Sequence, residues 1–250
     1  MIRRNFLILG AASFAASAFA ASPQKGKFCV STWYLPPSFA ATPNNIILRV
    51  KDTDSALGRY NDSDCTKDIS MEDVLGFHGH LCDGLVFSYL QIAAALKKLF
   101  PDGIIDRTDI RGACKNSPCM VDTLAYLTGA RINFKTLKID SELGVSHIVQ
   151  KISTGETYQV QLAANMFPEG LKKSEAEIRS KISKKEKVTP KEIDDVENLA
   201  NNFINTMLNT PLEKLVIVQK LQNYTFEPVS SVEVFGNRGD VVNKHVPKKK

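Results

Sequence analysis

The sequence predicts an α+β fold, in which a mixed or antiparallel sheet is packed by helices. Three observations indicate this class. Apolar residues recur at helical spacing after residue 83, strand-like alternation fills much of residues 131–163, and residues 172–209 form a charged region with two helix-capping signatures. A last strand-like segment, KLVIVQKL, then returns the chain to the sheet.

The first two dozen residues have the features of an export signal. A basic pair, Arg3 and Arg4, precedes a short apolar stretch, and residues 18–20 (AFA) fit the small-residue pattern of a cleavage site. We expect residues 1–20 to be a signal peptide, and the arginine pair also resembles a twin-arginine export signal. An ordinary secretory signal and an uncleaved anchor are the alternatives. Cleavage would release the mature protein into the periplasm.

The mature chain is expected to hold one α+β domain. Residues 21–68 are rich in Pro, Asn, Ser and Asp, which indicates an extended segment with one strand, NIILRV; residues 69–235 form the domain and 236–250 a basic tail. Removing residues 1–20 takes away two arginines and no acid, so the formal charge falls from +5 to +3. No basic stripe is interleaved with aromatics, and no apolar run of about 18 residues follows the signal, so neither nucleic-acid binding nor a membrane span is expected.

Two helices are predicted around a short strand. The first has one apolar face, formed by Leu85, Tyr89, Ile92, Leu96 and Leu99. Asp83 is its expected N-cap, and it should end near residues 100–101. The strand-like segment DIRGAC then leads to the second helix, for which Ser117 suits the cap, Pro118 the first position and Gly129 the end.

Strands and a helical hairpin follow. The segments RINFKTLKI, SHIVQKI and TYQVQLA alternate like strands, and STGE suits a hairpin turn between the last two. In the helical hairpin at 172–209, Ser174 with Glu177 and Thr189 with Glu192 match the capping box. The second hairpin helix carries an apolar seam, formed by Ile193, Val196, Ala200, Phe203 and Met207.

The segment GFHGHLCDGL places two histidines and a cysteine, His78, His80 and Cys82, at every second position. Cys82 lies directly before the first helix, and Cys119 lies in the first turn of the second, where free N–H groups and the helix dipole favour an anion. Both thiols are therefore expected to ionise more easily than a free cysteine, whose pKa is about 8.5. Asp122 shares the helix face of Cys119 and can act as an acid/base group or orient a ligand.

These residues indicate a metal or thiol site. His78, His80, Cys82 and Cys119 are the candidate metal ligands, and Cys82, Cys119 and Asp122 are the candidate catalytic residues. Zinc is the expected ion because it takes His and Cys in a tetrahedral shell, although iron, copper and nickel accept such ligands too. Three protein ligands would leave a position for Lewis-acid chemistry and four would close the shell, and the spacing does not separate the two.

The cysteines also allow a purely structural interpretation. The chain has five, an odd number, and no C-x-x-C pair. Cys29 with Cys65 is one candidate disulfide, and Cys114 with Cys119 is another. In the second case His80 would only cap a turn, and the protein would be a disulfide-held module without a site.

Together the two motifs resemble a known family. FHGHLCDGL, an amphipathic helix and then NSPCMVDTLAYLTGA are similar to the FmdE family of formylmethanofuran dehydrogenase proteins, whose pattern runs F-H-G-H-x-C-P-G and then C-x-x-D-A-x-Q-x-x-T-G-C. The similarity spans residues 71–165. It implies an α+β core, often in an intertwined homodimer, whose cavity is lined by the motif histidines and cysteines and can bind metal. The positions that match are His78, His80, Cys82, Cys119 and Asp122.

The chain departs from the family pattern at three places. Asp83 stands where the family usually has proline, and Ala130 replaces the cysteine after T-G, so any role of that thiol is lost. The cysteine-rich zinc ribbon that ends many members has no counterpart, so we expect no second metal site.

Two functions fit these features. The first is an exported metal-binding protein with an open thiolate and imidazole site, which can be an enzyme acting on a small molecule in a pocket near Asp122 and Tyr126. The second is a carrier or assembly factor that brings metal or a cofactor to an exported redox enzyme, with the hairpin at 172–209 as the docking surface. The sequence leaves catalysis, substrate and metal identity open.

Overall fold

The computed structural model describes residues 41–52 and 65–228, and within these residues the chain forms eight strands and six helices. The predicted signal peptide, Cys29 and the basic tail lie outside them. In chain order the elements are β1 (Leu48–Lys51), β2 (Lys67–Ile69), α1 (Met71–His78), α2 (Asp83–Leu99), β3 (Ile104–Asp106), β4 (Ile110–Cys114), α3 (Pro118–Thr128), β5 (Leu137–Ile139), β6 (Ser146–Lys151), β7 (Thr157–Leu162), α4 (Glu169–Ser183), α5 (Pro190–Asn209), α6 (Leu212–Leu215) and β8 (Val216–Leu221).

The strands form two mixed sheets, which confirms the predicted α+β class. The larger sheet has the order β5-β4-β6-β7-β8, antiparallel except for the parallel pair β4 and β5. The smaller sheet has the order β2-β1-β3, with β1 antiparallel to β2 and parallel to β3. The NIILRV segment thus supplies the central strand of the smaller sheet.

Helix α2 is the centre of the core rather than a helix with one buried face. The five residues predicted to face the core are buried, but so is every residue from Gly84 to Leu96. The helix contacts α1, α3, α5 and the strands β6, β7 and β8. No charged residue occurs between Leu85 and Leu96, so the sequence carried this signal beside the periodic one. Buried Gln91 is satisfied: its amide donates to the Val145 carbonyl and its oxygen accepts from His147.

The caps of α2 and α3 largely follow the prediction. The N-cap of α2 is Cys82 and not Asp83, because the Cys82 Sγ accepts the backbone N–H of Leu85 at 3.4 Å. The end near residues 100–101 is confirmed. Helix α3 starts at Pro118 after Ser117 and ends at left-handed Gly129, as predicted.

The strand predicted for RINFKTLKI is mostly wrong. Residues Ile132–Phe134 form a 3₁₀ turn that ends at left-handed Lys135, and only the last part pairs, as β5. The Thr136 side chain accepts the backbone N–H of Arg131, and this local bond favours a turn over a strand. The hairpin of β6 and β7 is confirmed, with Gly155 in the left-handed region of its turn.

The helical hairpin is confirmed as α4 and α5, with one capping box misplaced. Ser174 lies inside α4, which begins at Glu169, so its capping box with Glu177 does not form. Thr189 and Glu192 do cap α5 reciprocally. Of the predicted seam the C-terminal part is buried, whereas Ile193 remains 40% exposed. No helix in the described part of the chain is both long and apolar enough to cross a bilayer.

Candidate metal and thiol site

The site lies where the turn between α1 and α2 meets the first turn of α3. His78 is the last residue of α1, and Gly79 follows it with φ at 97°, a left-handed conformation that glycine adopts without strain. The chain reverses there, and three residues later Cys82 caps α2. The glycine between the histidines therefore lets His78 and Cys82 face one another.

Close packing of two helices brings in the second thiol. A Cβ atom on Gly84 would lie 2.8 Å from the Cys119 Sγ, so only glycine fits at this point of α2. The Cys82 Sγ and Cys119 Sγ atoms are 3.4 Å apart. The structure therefore places the two motif cysteines side by side, although 37 residues separate them along the chain.

Asp122 fixes the orientation of the first histidine. The Asp122 Oδ2 lies 2.8 Å from the Nδ1 of His78, and the other ring nitrogen, Nε2, lies 3.8 Å from the Cys82 Sγ. The His78 side chain is buried, whereas that of Asp122 is 34% exposed. The hydrogen bond to Asp122, together with the bond to Cys119, raises the pKa of His78 to about 9 against the opposing effect of burial.

His80 completes a compact group of potential ligand atoms. Its ring lies 4.5 Å from that of His78, centroid to centroid, and the residue is exposed. One ligand atom from each of His78, His80 and Cys82 lies within 4.8 Å of the others. Cys119 is outside this mutual set but adjoins it through Cys82. The group is accessible from the His80 side.

The two thiols ionise differently, which corrects the expectation that both become more acidic. The hydrogen bond with Cys82 lowers the pKa of Cys119 to about 5, and the bond with His78 and the charges of both histidines add to this, whereas burial opposes it. The same bond, with burial, raises the pKa of Cys82. Two buried sulfurs at this distance share one proton, because a second negative charge would be repelled by the first.

The next acidic residue belongs to the same environment. Burial raises the pKa of Asp83 to about 6, and the charge of Glu175 on α4 raises it further in the same direction. Helix α4 thus adds negative charge behind the start of α2. Neither Glu175 nor the role of Gly84 was predicted from the sequence; a glycine at the second position of a helix was the one available signal.

The geometry fits a tetrahedral ion of the zinc type. Bonds of 2.0–2.3 Å to nitrogen and sulfur place neighbouring ligand atoms roughly 3.3–3.8 Å apart. The Cys82 to Cys119 distance of 3.4 Å and the Cys82 to His78 distance of 3.8 Å fall in this range. A histidine that ligates metal through one nitrogen usually donates the other to a carboxylate, and Asp122 is in that position.

The disulfide interpretation of Cys114 and Cys119 is wrong, since both are free thiols. Cys114 is fully buried on β4, and burial raises its pKa. Cys65 is an exposed free thiol, and Cys29, its suggested partner, lies outside the described residues. Tyr126, expected near the site, is partly buried and its ring packs 5.5 Å from that of Phe77.

Comparison with known proteins decides the family. The model of the family described as "FmdE, Molybdenum formylmethanofuran dehydrogenase operon" matches residues 77–217, more than half of the chain. The chain belongs to the FmdE family. No curated protein matches it. Among solved structures, this FmdE family member is similar to an FmdE-like protein of a tungsten formylmethanofuran dehydrogenase from Syntrophus aciditrophicus, with 19% identity, a TM-score of 0.41, and coverage of 62% of this chain and 74% of that one.

Proposed function

We propose that this FmdE family member is an exported metal-binding protein, with zinc as its ion and His78, His80, Cys82 and Cys119 as the ligands. The observation that carries the proposal is the orientation of His78. Its Nδ1 is held by Asp122 at 2.8 Å while its Nε2 faces Cys82 at 3.8 Å. A carboxylate that fixes the ring in this way is the usual companion of a metal-ligating histidine.

The charges of the site support the same conclusion. Cys119 has a lowered pKa and gives a thiolate near neutral pH, which is the form of cysteine that binds metal. A proton shared with Cys82 and a raised pKa at His78 mean that binding an ion releases protons from both groups. The metal-free site is thus a set of acids whose protons an ion can replace.

We propose further that the site acts on a small molecule. His80 is exposed, so one side of the ligand set faces solvent and a substrate can reach it. A bound zinc ion would supply Lewis acidity there. Asp122, one-third exposed, orients His78 and can also accept a proton from a group bound beside it. The export signal places this chemistry in the periplasm, and the family resemblance favours a homodimer.

The test is the metal content of the mature protein purified without added metal, measured by plasma mass spectrometry. Wild type and Cys65→Ser should carry about one equivalent of a transition metal per chain, because Cys65 is an exposed thiol outside the site. Cys82→Ser and Cys119→Ser should each lose it. Equal metal content in all four proteins, or none in the wild type, would overturn the proposal.

A metal or cofactor carrier for an exported redox enzyme is the second candidate. Two isoleucines on the hairpin favour it, since Ile182 is 63% and Ile193 is 40% exposed, and exposed apolar residues suit a transient partner. Transfer of metal to a chelator discriminates the two. A carrier should release its ion within minutes, whereas a resident catalytic ion should remain bound for hours.

A further inference from the structure

A second cavity lies away from the thiol site. It has a volume of about 330 Å³, at the lower end of the range of small-molecule pockets. It is formed where the end of β1, the turn before β4 and the loop after α3 meet. The lining residues used below are Asp52, Arg107, Ile110, Gly129, Arg131 and Phe134.

The charge of the cavity favours an anion. Two guanidinium groups face one carboxylate, because Arg107 and Arg131 line the wall with Asp52. Arg107 pairs with Asp52 through one terminal nitrogen at 3.2 Å, and its Nε is buried without a hydrogen-bond acceptor among the described residues. No carboxylate in the described part of the chain pairs with Arg131. The cavity therefore holds unused guanidinium donors, which match the oxygens of a carboxylate or phosphate.

The other wall of the cavity is apolar and aromatic. Phe134 is 57% exposed, an unusual position for a large ring, and the guanidinium of Arg131 lies over it at 5.0 Å from the centroid. Ile110 contributes a buried aliphatic surface beside them. An exposed ring next to a cation offers a surface on which a flat ligand can stack.

The cavity and the thiol site lie at opposite ends of α3. Cys119 is in the first turn of this helix, and Gly129, which lines the cavity, is its C-cap. At about 1.5 Å per residue, these two positions are roughly 15 Å apart. A small ligand in the cavity therefore cannot contact the proposed metal ligands.

We propose that this cavity is a second binding site, and that it takes a small ligand with a carboxylate or phosphate group on a flat ring. The anionic group binds Arg131 and the free donors of Arg107, and the ring stacks on Phe134. The site is independent of the proposed metal site, so either proposal can fail without the other.

Calorimetric titration with three probes tests the proposal: phenyl phosphate, benzoate and inorganic phosphate. Phenyl phosphate and benzoate should bind one site per chain with a Kd below about 1 mM, and inorganic phosphate more weakly. Arg131→Gln should weaken phenyl phosphate binding at least about tenfold, and Arg131→Lys should give an intermediate loss, because lysine keeps the charge without the planar fork. Arg179→Gln, at an exposed arginine on α4, is the matched control and should bind like wild type.

Two further variants separate this site from its alternatives. Phe134→Leu should remove most of the preference for phenyl phosphate over inorganic phosphate, and Cys82→Ser should bind phenyl phosphate normally. The proposal is overturned if phenyl phosphate shows no saturable binding below about 10 mM. It is also overturned if Arg131→Gln, folded by its thermal melt, binds like the Arg179→Gln control, or if Cys82→Ser abolishes binding, which would place the ligand at the thiol site.

Discussion

Asp122 and Gly84 determine the geometry of the thiol site without being ligands themselves. Asp122 fixes the ring of His78, and its neighbour on α3, Cys119, packs directly against the backbone of Gly84. Removing either feature leaves all four candidate ligands in the chain. Both residues therefore allow tests of positioning that are separate from tests of ligation.

Replacing Asp122 by asparagine should weaken zinc binding about 10- to 100-fold, because the amide orients His78 without the negative charge that strengthens it as a ligand. Competition with a zinc chelator measures the affinity. Asp102→Asn, at an exposed aspartate far from the site in sequence, is the matched control. An affinity of Asp122→Asn equal to that of the control would show that the carboxylate does not support the ligand.

Replacing Gly84 by alanine should reduce zinc affinity by at least about tenfold, because the new methyl group would displace Cys119. Gly76→Ala is the matched control, since no atom lies within 4 Å of a Cβ built there. That change should leave affinity unchanged and raise helix stability by up to about 1 kcal/mol. Retention of wild-type affinity by Gly84→Ala would mean that Cys119 is not held where the structure places it.

The sequence predicted the membership of the site better than its chemistry. The positions of Cys82 before one helix and Cys119 at the start of another could be read from caps and spacing. The opposite pKa shifts of the two thiols could not, because they arise from a contact of 3.4 Å between distant parts of the chain. The same holds for Asp122, whose partner His78 lies 44 residues away.

At the scale of elements, local hydrogen bonds decided which predictions failed. The capping box at Thr189 forms at the start of α5, whereas the equivalent pattern at Ser174 falls inside α4. The two patterns are indistinguishable in sequence, and what separates them is that α4 begins earlier, after Pro168. Periodicity likewise identified one face of α2, but its burial on all sides depends on α5 and the sheet packing around it.

Thr189→Ala should destabilise the first turn of α5 by about 1 kcal/mol, because it removes a side-chain acceptor from the helix N-terminus. Ser174→Ala, inside α4, should have little effect. Amide hydrogen exchange measures both locally: protection in the first turn of α5 should fall about fivefold in Thr189→Ala. Equal effects of the two changes on their own helices would contradict the assigned start of α4.

At the scale of the whole molecule, burial of a histidine makes folding depend on pH. His147 lies on β6 within the core, fully buried, and its Nδ1 bonds the Gln91 oxygen at 2.7 Å. Burial lowers the pKa of His147 to about 3. The unfolded chain, with an ordinary histidine pKa of about 6.5, therefore binds a proton that the folded protein does not.

The stability contributed by neutral His147 should be complete above about pH 6.5 and should fall as the pH drops toward 3, by roughly 1.4 kcal/mol per pH unit within that window. Urea unfolding at pH 7 and pH 5 measures this, and His147→Gln should lose that part of the pH dependence. NMR of the imidazole provides a check that needs no variant. A His147 ring that is protonated at pH 6 in the folded protein would contradict the prediction.

The proposed metal site requires that the two motifs hold one ion through two imidazoles and two thiolates. X-ray absorption at the edge of the bound metal tests this coordination most directly, because the ligand distances separate sulfur from nitrogen. We predict about two sulfur atoms near 2.3 Å and two nitrogen atoms at 2.0–2.1 Å, with the sulfur signal halved in Cys119→Ser. A shell of oxygen and nitrogen without sulfur would contradict this coordination and place the metal elsewhere on the protein.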